Sequence, residues 1–229
     1  MFESTGKGGY KQNFISDMLD CGALKFGEFI TKSGRLSPYF INTGAFNTGR
    51  LICLLGGYYA ACIIENTKKG NIPENIDILF GPAYKGIPLA AVTASVLFTK
   101  YEMEVGFAFN RKEQKDHGEG GSIVGKTPQD GDNILILDDV ITAGTAAREL
   151  IPAIRSAADV NIRGMIVSVD RMEKGQGEHT AVSELRKDLG IEIFPIITIM
   201  DIIPQVDEIH KIAMKEYMDK YCTGFTDDQ

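Results

Sequence analysis

The chain has 229 residues, 44% hydrophobic and 24% charged. That is the length of one domain, or of one domain with a small appendage, and folding at that size buries roughly 70% of the unfolded surface. A formal net charge of −7 argues against non-specific nucleic-acid binding as the main task, while leaving anionic small molecules to local fields.

Four cysteines, Cys21, Cys53, Cys62 and Cys222, form no Cys-x-x-Cys pair and stand beside three histidines, which argues against a zinc site and against a disulfide framework. The opening Met-Phe-Glu-Ser-Thr-Gly-Lys-Gly-Gly-Tyr has no apolar run, so no signal peptide is expected. No stretch approaches ~20 uncharged apolar residues, so no membrane partner is expected and the cytoplasm is the expected location.

Residues 11 to 21 carry Phe14, Ile15, Met18 and Leu19 at helical spacing, which predicts an amphipathic helix. Residues 26 to 31 and 37 to 42 read as two strands around the turn Ser33-Gly34-Arg35. Residues 50 to 66 are apolar on most faces and predict a helix buried on more than one side. An alternating series follows: strand 76 to 80, helix 87 to 99, strand 105 to 110, a long polar loop from 111 to 125, strand 134 to 137, helix 145 to 156, strand 164 to 169, a helix around 181 to 189, and strand 191 to 198. Residues 206 to 221 predict one more amphipathic helix. Such alternation implies an α/β fold, a mostly parallel sheet with helices on both faces. Residues 1 to 229 are read as one domain, in which the first ~45 residues, differing in pattern, form a cap over the sheet.

Residues 134 to 146 read Ile-Leu-Ile-Leu-Asp-Asp-Val-Ile-Thr-Ala-Gly-Thr-Ala. Four aliphatic residues suit a fully buried parallel strand. Asp138 and Asp139 fall where it should end, and a Thr-Ala-Gly-Thr turn leads into a helix. Ligands of open α/β sheets bind outside the carboxyl ends of strands. A helix start offers unpaired N–H groups and about half a positive charge, which suits a phosphate. Gly144 permits close backbone approach, while Thr142 and Thr145 add hydroxyls. The carboxylates suit sugar hydroxyls or a hydrated magnesium ion. One ligand carries both features, a sugar phosphate. The plainer alternative is a strand ending in Asp and a capped helix.

The loop Gly81-Pro82-Ala83-Tyr84-Lys85-Gly86 follows a strand and precedes a helix, so it belongs to the same edge, and is read either as a turn or as a site where Lys85 supplies charge to a diphosphate. Residues 111 to 125 mix Arg111, Lys112, Lys115 and His117 with Glu113, Asp116 and Glu119, which fits a solvated loop or a lid. Glycines 118, 120, 121 and 125 argue for mobility. A lid would shield charges that develop during a reaction from water. In the same loop Gly120 to Thr127 matches the Gly-x-x-x-x-Gly-Lys-Thr pattern of nucleoside triphosphatases. That pattern must follow a buried strand and open a helix, whereas here Pro128-Gln-Asp-Gly-Asp follows and leaves no room for one.

The 134–146 segment closely resembles the phosphoribosyl diphosphate signature of type I phosphoribosyltransferases. Phe26-Gly-Glu-Phe-Ile-Thr-Lys-Ser-Gly-Arg35, Ser37-Pro-Tyr-Phe40, Phe80-Gly-Pro-Ala-Tyr-Lys-Gly-Ile-Pro88, Phe109-Asn-Arg-Lys-Glu-Gln-Lys-Asp-His-Gly-Glu-Gly-Gly121 and Ser168-Val-Asp-Arg171 all resemble the orotate phosphoribosyltransferase family. They come in that family's order, from about residue 24 to 199. The signature alone marks the superfamily; the Lys-Asp-His-Gly-Glu-Gly-Gly block is much more specific to the orotate enzymes.

The resemblance implies magnesium-dependent transfer of phosphoribosyl from 5-phosphoribosyl diphosphate to orotate, a step of pyrimidine nucleotide synthesis, on a type I phosphoribosyltransferase fold with an N-terminal hood. It implies that Lys32, Tyr84, Lys85, Arg111, Lys112, Lys115, His117, Asp138, Asp139, Val140, Ile141, Thr142, Ala143, Gly144, Thr145 and Ala146 bind the sugar diphosphate. Within that set Lys115, Asp138 and Asp139 are the catalytic candidates, residues 142 to 146 hold the 5'-phosphate, and magnesium sits near Asp138 and Asp139 through substrate and water. It implies that Phe40, Ile41, Thr142 and Arg171 hold orotate, Phe40 and Ile41 through their backbone and Arg171 at the carboxylate, which a guanidinium fork fits. Ile41 departs from the phenylalanine common at that position. A homodimer whose lid acts across subunits follows from the resemblance alone. A purine-base transferase and a sensor of the sugar diphosphate that binds nucleic acid are the rival readings. The Arg171 and Lys-Asp-His-Gly segments oppose the first, and the acidic balance and lack of a spare domain oppose the second.

Overall fold

A computed structural model describes residues 8–31, 33–112, 123–140, 145–175, 177 and 179–222, with the side chains of residues 145 and 146 left out. Its elements are α1 (Tyr10–Asp20), β1 (Leu24–Ile30), β2 (Leu36–Ile41), α2 (Gly49–Lys68), β3 (Ile78–Phe80), α3 (Gly86–Tyr101), β4 (Gly106–Asn110), β5 (Ile123–Gly125), β6 (Asn133–Val140), α4 (Thr145–Ala157), β7 (Asn161–Asp170), α5 (Ala181–Leu189), β8 (Ile193–Thr198), α6 (Ile199–Ile202) and α7 (Glu208–Tyr221). Short 3-10 turns occupy Thr43–Ala45 and Ile203–Gln205.

Six strands form one sheet in the order β5-β4-β3-β6-β7-β8. β3, β4, β6, β7 and β8 run parallel, and β5 returns antiparallel on β4. Side chains of a strand alternate between faces, and β6 divides the interior accordingly. Ile134 and Ile136 join Ala147, Leu150, Ile151 and Ile154 of α4 and Val182 and Leu185 of α5. Leu135 and Leu137 join the core made with α2, α3 and the N-terminal elements. The 147, 150, 151, 154 spacing is one helical stripe, and burying both faces explains the unbroken aliphatic run of β6.

The β1–β2 hairpin is a separate antiparallel sheet. With α1 it forms the hood, moored to α2 where the Phe14 ring lies 4.9 Å from Tyr58 and 6.0 Å from Phe46. Tyr58 donates to Asp17, and Tyr10 to Glu65. The pattern of the first ~45 residues accounts for half of this cap; the other half comes from far along the chain. α7 lies against β2, with Tyr217 edge-on to Tyr39 at 5.8 Å and His210 4.0 Å from the Phe26 ring, and Lys11 of α1 reaches Asp201 of α6 at 3.4 Å.

Two sequence expectations change. The loop expected to run to residue 125 ends earlier, because Ile123–Gly125 pair with β4. Gly125 serves close packing instead of mobility: at φ 99° a Cβ there would stand 2.2 Å from the Phe107 carbonyl. β6 and β7 also extend beyond the aliphatic runs, so Asp138 and Asp139 lie within β6. No described helix is long and apolar enough to cross a membrane.

Phe14 is fully buried at the joint of hood and sheet layer. Phe14→Ala should cost about 3–5 kcal/mol in urea unfolding. A loss under about 1 kcal/mol would detach the hood from the cooperative core.

Candidate active site

The alternation that sorts the core also separates the two carboxylates at the end of β6. Asp138 continues the Ile134–Ile136 face, toward α4, and Asp139 the Leu135–Leu137 face, toward the hood. Asp139 is 7% exposed, and a buried carboxylate needs charge and hydrogen-bond partners. It has them from three other segments. The Thr43 hydroxyl donates to Oδ1, Lys85 Nζ lies 2.6 Å from Oδ2, and Ser168 Oγ of β7 donates to the Asp139 carbonyl at 2.8 Å while standing 3.4 Å from Oδ1. Asp138 is fixed differently. Its Oδ1 accepts the Asp139 amide at 2.8 Å, and its carbonyl accepts the Tyr59 phenol at 2.7 Å. Burial pushes the Asp138 carboxyl up from the ordinary 3.8, with the Asp139 charge acting the same way, against the Asp139 amide and Lys85.

Lys85 arrives from the loop between β3 and α3, whose shape depends on two glycines in contact. A Cβ on Gly81 would stand 1.9 Å from the Gly86 carbonyl oxygen, and one on Gly86 2.6 Å from the Gly81 carbonyl carbon. The loop is held by the Gly81 amide on Ala108 and by the Ala83 amide on Asn110 Oδ1, both at 2.9 Å. Tyr84 projects from it 65% exposed, with Lys112 Nζ 4.9 Å from its ring centroid. This brings the first residues after β4, Arg111 and Lys112, beside the Tyr84–Lys85 turn. Asn42, next to Thr43, places its Oδ1 3.4 Å from Lys85.

Arg171 follows the last residue of β7. It is partly buried beneath the hood with Cζ 4.2 Å over the Tyr39 ring, Nε and Nη2 each 2.6 Å from Glu173 Oε1, and Nη2 donating to Ser37 Oγ at 3.0 Å. β2 thus runs from Ser37 at Arg171 to the turn where Thr43 meets Asp139. Between them Phe40 is 44% exposed with its ring 5.4 Å from Phe29, and Ile41 is buried. The departure from phenylalanine at 41 therefore falls on hood packing and not on an open face.

Of the sequence-derived candidates, the structure gathers Tyr84, Lys85, Lys112, Asp138 and Asp139 along one stretch of the sheet's carboxyl edge. It sets Phe40, Ile41 and Arg171 along the hood strand above that edge, and Val140 at the end of β6. Lys32, Lys115, His117, Ile141, Thr142, Ala143 and Gly144 lie outside the described residues, and of Thr145 and Ala146 only the start of α4 is described. Sequence reading missed Thr43, Tyr59 and Glu173. Ser168 had a signal, a lone hydroxyl in an aliphatic strand; a buried threonine in a turn has none.

The triphosphatase pattern does not form a phosphate loop. Of its described residues 123–127, Ile123–Gly125 are strand, and β6 follows without an intervening helix. Lys126 Nζ bonds the Asp77 carbonyl at 3.1 Å, just ahead of β3 and at the sheet edge opposite the aspartates. Among the described residues no group of three or more His, Cys, Asp or Glu could hold a metal ion.

Residues 51–196 match the family model described as the phosphoribosyl transferase domain. The chain is 47% identical over 194 residues to an orotate phosphoribosyltransferase of Clostridium beijerinckii, covering 85% of this chain and 84% of that one. It is 48% identical over 217 residues to that of Proteus mirabilis, covering 93% and 97%. The crystal structure of the Francisella tularensis orotate phosphoribosyltransferase superposes with a TM-score of 0.80 at 38% identity, covering 92% of this chain and 99% of that one.

Because the folded protein holds the Asp138 proton more tightly than the unfolded chain, this carboxyl subtracts from stability as pH rises above the ordinary carboxylate value. Asp138→Asn keeps an acceptor for the Asp139 amide. It should raise the unfolding free energy near neutral pH, with the gain vanishing as pH falls through the carboxylate range. Urea titrations across pH check this, and a gain independent of pH would refute the burial argument.

Proposed function

Because the chain belongs to the orotate phosphoribosyltransferase family of the phosphoribosyl transferases, we propose that its β6 edge binds 5-phosphoribosyl diphosphate beneath a hood that presents orotate, in a magnesium-dependent cytoplasmic homodimer. The observation that carries this reading is the Lys85–Asp139 pair at 2.6 Å, which joins the β3–α3 loop to the signature strand at one sheet edge. The reaction is the family's: orotate nitrogen bonds to the anomeric carbon, the bond from that carbon to diphosphate oxygen breaks, and orotidine 5'-phosphate and diphosphate result. It supplies a nucleotide to pyrimidine synthesis.

Each segment has a part. The amino end of α4 and residues 142 to 146 take the 5'-phosphate through free amides and hydroxyls. Asp138, partly exposed at the strand end, and Asp139 take the ribose hydroxyls. Lys85, Tyr84 and Lys112 line the path of the diphosphate, and an arriving diphosphate competes with Asp139 for the Lys85 ammonium. Arg111, Lys115 and His117 complete the cation set, with Lys115 acting from the partner's lid, and Lys32 joins from the hood. β2 belongs to a two-stranded sheet, so among the described residues its outer edge has backbone groups without a ladder partner. At Phe40 and Ile41 these suit a flat heterocycle, and Arg171 suits its carboxylate.

With one partly exposed carboxylate at the edge and the other paired to Lys85, the donor set fits a magnesium ion held mainly by substrate and water near Asp138 and Asp139. Such an ion supplies charge neutralisation on the diphosphate. What the chain's own residues contribute is alignment and a fixed field. The carboxylates face the ribose, where positive charge develops, and the cations face the departing phosphates.

Purified protein with the sugar diphosphate and magnesium should convert orotate, and leave uracil, hypoxanthine and adenine unused. Preference for a purine would overturn the base assignment. In the same assay Lys115→Ala should lower kcat far more than it raises the KM for the sugar diphosphate. Equal losses would remove this lysine from the transition state.

A further inference from the structure

Arg171 is gripped on a face and an edge before any substrate arrives. The Tyr39 ring covers one face of the guanidinium at 4.2 Å. Nε and Nη2 both point at Glu173 Oε1, at 2.6 Å each, and Nη2 also bonds Ser37. Among the described residues Nη1 meets no acceptor. A partly buried guanidinium with one nitrogen unengaged among the described residues and the rest of its fork held is pre-organised toward a single direction.

The grip depends on a distant part of the chain. Glu173 Oε1 accepts the Tyr217 phenol of α7 at 2.8 Å, and its Oε2 stands 3.5 Å from Arg35 Nη1. The Glu173 backbone forms an antiparallel bridge with Cys222, and the next amide, Lys174, donates to Tyr221 at 2.8 Å. Arg35 closes the ring by donating to the Lys174 carbonyl at 3.1 Å, its guanidinium 5.3 Å from the Tyr221 ring centroid. Burial first, and then the Glu173 carboxylate, push the Tyr217 phenol up to about 12, so it keeps its proton and remains a donor. Arg35, Arg171 and Glu173 together carry one net positive charge, which the carboxylate of an incoming base would neutralise.

We propose that Glu173 and Tyr217 are positioning residues for base recognition: they aim Nη1 of Arg171 at the substrate carboxylate, so that α7 contributes to the choice of base. This rests on the assignment of Arg171 to the orotate carboxylate, and it deepens that assignment. A purely structural ion pair would support the whole fold evenly. A positioning pair acts on one substrate.

The test compares Tyr217→Phe, which deletes only the hydroxyl, with Glu173→Gln, which keeps the shape, and with Arg171→Ala. For each variant the orotate KM, the sugar-diphosphate KM, kcat, and turnover of orotate relative to uracil are measured, and its Tm is determined. Glu173→Gln should raise the orotate KM about tenfold, and Tyr217→Phe about three- to tenfold, the size of a typical hydrogen bond's net contribution. The KM for the sugar diphosphate should stay within about twofold, and orotate preference over uracil should narrow. Arg171→Ala with an unchanged orotate KM would sink the assignment of Arg171 itself. Arg171→Ala with weakened orotate binding, beside Glu173 and Tyr217 variants that keep the parental orotate KM, would leave that assignment standing and overturn the positioning role. Equal rises in both KM values with a lowered Tm would also overturn it, in favour of a structural ion pair.

Discussion

The arrangement turns on one buried charge. Asp139 sits at the end of the central strand with almost no solvent, and a carboxylate there is tolerable only if surrounding groups answer it. A hood turn and the β3–α3 loop each supply one partner to the carboxylate, and the neighbouring strand β7 holds the Asp139 backbone carbonyl while standing within reach of Oδ1. Removing any of them would leave the others facing a partly unpaired ion, so hood, loop and sheet are held in register by the same requirement. The cost of placing a charge at that position is what defines the shape of the edge.

The pair of aspartates divides its work by strand geometry. Adjacent residues of a strand face opposite ways, so Asp138 and Asp139 cannot duplicate each other. Asp139 acts as the keystone just described. Asp138, on the other face and partly open, keeps a carboxyl that burial disfavours in its charged form. Sites commonly hold such strained groups because the ligand completes their environment. Here the surrounding core, with both faces of β6 buried, is large enough to carry the burden.

Much of this could be read in the sequence because its elements are locally determined. The buried run before Asp138, the 147-150-151-154 stripe and the glycine-bounded turn at Tyr84 and Lys85 each depend on residues near one another. The carboxyl-edge rule then places the turn and the aspartates together. What stayed illegible is what depends on residues distant along the chain. Thr43 meets Asp139 across 96 positions and Tyr217 meets Glu173 across 44, and nothing in the spacing of a lone threonine or tyrosine announces such a meeting. Gly125 defeats sequence reading for a related reason. A glycine that permits motion and one that permits a backbone to touch its neighbour are the same letter, and only the Phe107 carbonyl 2.2 Å from its missing Cβ separates them.

The cap over the sheet is woven from segments that leave the ribosome at different times. α1 and the hairpin precede the strands in the chain and α7 comes after all of them, yet the packing around Tyr39 and Arg171 is completed only when α7 docks. A nascent chain can thus complete the β6 edge while the hood above it still lacks a wall. Ripening of the pocket is coupled to the docking of one late helix.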